Sequence, residues 1–194
     1  MSPSPLTYAK RESILEQVSR EWRLEPDMLV AALPTLTQRL PLNQVTAIRL
    51  SFAPTEYKPW RYRCVVKLKD GRRTEFDNGH FAGVADFTDQ SAAYRAFVLA
   101  LLEQLRAASP AARLEIGETT SAYMGQIALV TVAAAALLLV LMLTAGAAVV
   151  LGPVLWNAAF ILISLPLLLA WLRRARPRRI NLDDPLPPDA LPPA

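Results

Sequence analysis

The chain has 194 residues and a formal net charge of +4, room for one modest domain plus something else. Hydrophobic residues reach 53%, and the excess lies in one block, since no charged side chain occurs between Glu118 and Arg173. A lone Cys64 and a lone His80 exclude an intramolecular disulfide and a zinc site of the usual ligand set within one chain, and the single cysteine suits a reducing compartment.

Residues 1–19 read as a flexible N-terminus ending in a short helix on Ile14, Leu15 and Val18. Lys10 to Glu12 interrupts any apolar run, so a cleaved signal peptide is not expected. The stretch EWRLEPDMLVA alternates around a Pro-Asp turn, which predicts two strands joined at Glu25 to Asp27. A third short strand is expected over Leu36 to Leu40. In TAIRLSF, Ile48, Leu50 and Phe52 share one face and Arg49 and Ser51 the other, as in a half-buried strand.

The run YKPWRYRCVVKLKDGRRTEF, Tyr57 to Phe76, carries seven basic and two acidic side chains. A two-residue turn at Asp70-Gly71 would set apolar against charged throughout the hairpin. A three-residue loop, Lys69-Asp70-Gly71 with Gly71 left-handed, pairs Val66 with Thr74 and Cys64 with Phe76. That register sends Tyr62, Cys64, Val66, Leu68, Thr74 and Phe76 inward, and Arg61, Arg63, Val65, Lys67, Arg73 and Glu75 outward. Beyond a short strand near His80 to Val84, Thr88 or Asp89 can cap a helix with Tyr94, Phe97, Val98, Leu101 and Leu105 on one face.

Residues 109–122 read as a linker. The charge-free block, 123–172, is long enough for two crossings of a bilayer, at about 124–143 and 155–172, with Tyr123, Trp156 and Trp171 as interface anchors. Arg173, Arg174, Arg176, Arg178 and Arg179 follow at once, which predicts both termini on the cytoplasmic side of an inner membrane. The remainder of 173–194 is proline-rich and expected to be extended and mobile.

No glycine-rich phosphate loop, paired carboxylates or metal-ligand cluster is legible, so neither catalysis nor a cofactor or metal is expected. His80 with Asp77 nearby fits a turn better than a catalytic pair. The outer basic set, Arg61, Arg63, Lys67 and Arg73 with Trp60 beside it, has three readings: a solvated face, a contact for anionic lipid, or a dock for an acidic protein segment. Nucleic acid is not expected, because residues 1–122 hold 16 Lys and Arg against 14 Asp and Glu, a net charge of only +2.

Short strands followed by one amphipathic helix over 20–108 resemble a pleckstrin-homology-like domain. With RLSFAP, WRYRC, the Asp70-Gly71 hairpin, DFTDQSAAYRAF and RPRR, the whole chain resembles uncharacterised bacterial two-span membrane proteins carrying such a domain. The resemblance implies an α+β fold: a small bent antiparallel sheet or partial barrel capped by the helix, followed by a transmembrane α-helical hairpin. It implies a membrane-anchored binding or scaffolding protein, or an accessory subunit of a larger transporter or envelope complex. Its expected partners are membrane lipids, another membrane protein, or a second copy through the spans.

Overall fold

The computed structural model describes residues 6–13, 18–83, 86–146, 166, 168–173 and 175–193. It divides into two units: Met1–Gly117 together with Arg178–Ala194, and Glu118–Pro177. The first unit is mixed α+β and mostly sheet.

Four strands, β1 (Leu6–Lys10), β2 (Arg20–Glu25), β3 (Met28–Ala32) and β4 (Thr37–Pro41), form an antiparallel meander in that order. Glu25 faces Met28 across the expected Pro26-Asp27 turn. A single 3-10 turn, Leu42–Gln44, leads into the second sheet. There β5 (Val45–Phe52), β6 (Tyr62–Leu68) and β7 (Arg73–Asp77) run antiparallel. β8 (Gly79–Gly83) and β9 (Asp86–Asp89) form a two-stranded pair, and α1 (Ser91–Ala108) follows. β10 (Arg113–Ile116) then joins β5 in parallel, and β11 (Arg178–Ile180) joins β10 antiparallel, giving the order β11-β10-β5-β6-β7.

The β6–β7 hairpin has the bulged-loop register: Val66 faces Thr74 and Cys64 faces Phe76. Gly71 has φ +83°, and its N–H donates to the Leu68 carbonyl at 3.2 Å. A side chain is strained there, which is why the loop needs glycine. The inward set is buried, and Val65 on the opposite face is only 8% exposed.

The core is shared by both sheets and α1. Tyr8, Trp22, Phe76, Tyr94 and Phe97 form an aromatic cluster, with Trp22 and Phe76 centred 5.3 Å apart and Phe76 and Phe97 edge-on at 5.5 Å. Trp22 Nε1 donates to Thr74 Oγ1 at 3.0 Å, which satisfies the indole and ties β2 to β7. Tyr94, Phe97, Val98, Leu101, Leu102 and Leu105 make the buried face of α1. Asp89, rather than a formal cap residue, accepts from the Ser91 N–H at 2.9 Å at the start of the helix.

Three expectations change here. The lead before Lys10 is a strand whose Tyr8 and Lys10 are buried. The expected helix over 14–18 lies mostly outside the described residues, and Val18 is exposed. The C-terminal segment is part of the first unit: Leu182, Ala190 and Leu191 are buried with the core, and the segment turns twice, with Asp184 N–H donating to Asn181 O and Ala190 N–H to Pro187 O.

Among the described residues no helix is long and apolar enough to cross a membrane. This corrects the transmembrane hairpin, the multi-pass reading and the inner-membrane location with both termini cytoplasmic. The first proposed span falls within α2 (Thr120–Gly146). Of the second, residues 155–165 and 167 lie outside the described residues, and residue 166 and residues 168–172 are helical. A charge-free run records only that nothing in it demands water; it does not establish continuous spanning helices. Tyr123 and Trp171 are half-buried, Arg173 and Arg176 are exposed, and Arg178 and Arg179 belong to β11, so they serve a sheet edge rather than a topology signal. Trp156 and Arg174 lie outside the described residues.

Candidate functional site

The alternation of β5, β6, β7, β10 and β11 lays their outward side chains in transverse rows. One row runs Arg179, Glu115, Arg49, Val65, Glu75. Its charges alternate and neutralise one another: Arg49 binds Glu115, and Arg179 Nε lies 4.0 Å from the same carboxylate. The next row runs Arg113, Ala47, Lys67, Arg73. It contains three cations and no acid.

Lys67 and Arg73 oppose each other directly, an arrangement that costs stability in an antiparallel pair. None of the three cations has an ion pair among the described residues. With strands about 4.8 Å apart, the row spans roughly 14 Å over four strands. At its β7 end lies a groove of about 320 Å³ bordered by Arg20, Arg61, Arg73, Glu12, Glu75 and Thr74.

The other two basic residues singled out in the sequence are already engaged. Arg61 Nε is 2.6 Å from Asp77 Oδ2, and one of its terminal nitrogens is 3.7 Å from Glu75. Arg63 lies 3.7 Å from Glu75, and its Nε is 3.5 Å from Ser51 Oγ. Trp60 is half-buried, and its carbonyl accepts from Asn78 Nδ2 at 3.3 Å.

Asp77 is the centre of a buried ionic knot. It is 1% exposed and accepts from Lys10 Nζ at 2.7 Å, Arg61 Nε at 2.6 Å and the Gly79 N–H at 3.0 Å, with Lys58 Nζ at 3.6 Å. Lys10 is equally buried and also meets Glu12 at 2.9 Å. Burial pushes the Asp77 carboxyl up, but Lys10, Arg61 and Lys58 together outweigh it and hold the group below the usual carboxylate range. Burial lowers the Lys58 ammonium, against the opposing pull of Asp77, and that ammonium sits 4.6 Å over the Phe87 ring. Gly79 is needed for this approach, since a Cβ there would stand 2.5 Å from Lys58 Cδ.

The neighbouring Asn78 is fully buried. Its side chain accepts from the Tyr62 N–H at 2.8 Å and donates to Ser91 Oγ at 2.8 Å and Asp89 at 3.0 Å. His80 uses Nδ1 to accept the Arg11 N–H at 3.2 Å. DNGH is therefore a strand junction in which each polar side chain has a structural bond. Cys64 is fully buried, and burial pushes its thiol well up. Among the described residues no three His, Cys, Asp or Glu converge on a metal position.

The residue missed from the sequence is Arg113. It reaches the basic row only because β10 pairs in parallel with β5, a pairing between segments far apart in the chain. The inward-outward alternation of Arg113, Leu114, Glu115 and Ile116 was the available signal. No family model, curated protein or solved structure matches the chain.

Proposed function

We propose that the β-rich unit is a binding module whose outer sheet face takes a partner bearing carboxylates or phosphates along the row Arg113, Lys67, Arg73. The observation that carries this reading is the contrast between two adjacent rows of one sheet. One is internally neutralised, whereas the other holds three cations and no acid, with no ion pair to any of the three among the described residues. Three cations laid across a sheet suit an extended anionic surface more than a single small molecule. Arg61 and Arg63, held by Asp77 and Glu75, contribute to the integrity of the face rather than to its free charge.

The test is binding of the full chain to neutral and to phosphatidylserine-containing vesicles, and separately to a labelled glutamate-rich peptide. Salt-sensitive binding is expected in one arm, and that arm identifies the source of the anion. Reversal of Lys67, Arg73 and Arg113 to Glu should abolish it, at about 1 kcal/mol per charge removed. Absence of binding in both arms at low salt would sink the reading.

A further inference from the structure

The C-terminal segment occupies a groove with the features of a peptide-docking site. Its first residues add a strand to β10: Arg178, Arg179 and Ile180 pair with Ile116, Glu115 and Leu114. Beyond them it runs along α1 in the opposite direction. Arg106 Nε donates to the Leu182 carbonyl at 2.7 Å, and Arg95 donates to the Pro192 carbonyl at 2.8 Å. These two arginines are eleven positions apart, about 16 Å along the helix and nearly on one face.

Strand addition and both arginines read main-chain atoms, while Leu182 and Leu191, 3% and 4% exposed, supply the side-chain anchors. Main-chain bonds for affinity and spaced side-chain pockets for selection are the two components of peptide capture by a sheet edge. The seat is not filled throughout. A cleft of about 550 Å³ remains between the turn at Pro110 to Arg113 and the segment from Arg179 to Asp184. Between β10 and this segment the chain makes the whole of the second unit, Glu118–Pro177. The occupant is therefore joined to its seat only through that second unit, and not through any residue of the groove itself.

We infer that the α1–β10 groove is a peptide-docking site, that residues 178–192 fill it in cis, and that the same segment of a second copy can fill it in exchange. Every contact named above is preserved in such a swap, because the exchanged element is identical.

The probe is a fluorescent synthetic peptide of residues 178–194, titrated into the full chain. A full chain carrying Leu182→Asp and Leu191→Asp in its own segment should bind that peptide at least tenfold tighter than the unaltered chain, since its cis competitor is weakened. A peptide with the same two substitutions should not bind. Light scattering should show dimer rising with concentration for the unaltered chain and not for the doubly substituted one. Failure of both chains to bind the peptide, equal binding of the substituted peptide, or a monomer at every concentration would overturn the inference. If the substituted chain does not fold, a protease site placed after Pro177 in an otherwise unaltered chain replaces it. The cut chain should exchange its segment for the labelled peptide, whereas loss of its sheet signal on cutting would overturn the inference.

Discussion

Replacing Asp77 by Asn keeps the shape of the side chain and removes the charge at the centre of the ionic knot. Lys10, 1% exposed, would lose the carboxylate 2.7 Å away and retain only Glu12 at 2.9 Å, while Arg61 and Lys58 would lose the same partner. Breaking a buried pair from one side costs about 3–5 kcal/mol. That is a large share of the roughly 5–15 kcal/mol by which a domain is stable. With an m-value near 2 kcal/mol/M, the urea midpoint followed by circular dichroism should fall by about 2 M. The double change Lys10→Met with Asp77→Asn should recover part of that loss, because the fully buried Lys10 ammonium is no longer left without its carboxylate. The carboxyl is held below its ordinary 3.8 when folded, so the folded state binds fewer protons than the unfolded one in that window. Its stabilisation is present above pH 3.8 and is lost as pH falls through the folded value. The gap between the unaltered chain and Asp77→Asn should therefore narrow below pH 3.8. A loss under about 1 kcal/mol for the single change, or a double change as costly as the sum of the two, would refute the reasoning.

Gly71→Ala should cost about 1–2 kcal/mol by thermal denaturation, from the left-handed backbone alone, because no atom lies within 4 Å of the added Cβ. The Cys64 thiol should resist thiol reagents in the folded chain and react on addition of urea, as full burial requires. Leu182→Ala should lower stability by about 2–5 kcal/mol in urea unfolding, whereas a mobile tail would give a change within about 0.5 kcal/mol.

The hairpin around Gly71 was legible to the residue because only one register keeps charge out of the core, and the Pro-Asp turn was legible because its chemistry is local. β1, β10 and β11 were not, for two different reasons. In β1 a buried lysine breaks the hydrophobic pattern, and its justification, Asp77, stands far along the chain. β10 and β11 are short, and their partners are set by long-range pairing that no local spacing encodes. The prolines after Arg179 resembled a free tail, although Leu182 and Leu191 among them are core residues. The candidate site followed the same division. Lys67 and Arg73 came from alternation in one hairpin, Arg113 required the third dimension, and Arg61 and Arg63 lost their freedom to acids that the sequence places on a neighbouring strand.

β10 and β11 pair as neighbours, with Ile116 opposite Arg178, so the Cα atoms at the two ends of the intervening stretch stand only about 5 Å apart. The β-rich unit consequently has a ready-made splice point: a short turn joining Gly117 to Arg178 would close the sheet without moving either strand. Whatever is lodged between those strands is cargo to the sheet's geometry, and a different insert of any length whose ends meet could be carried in its place.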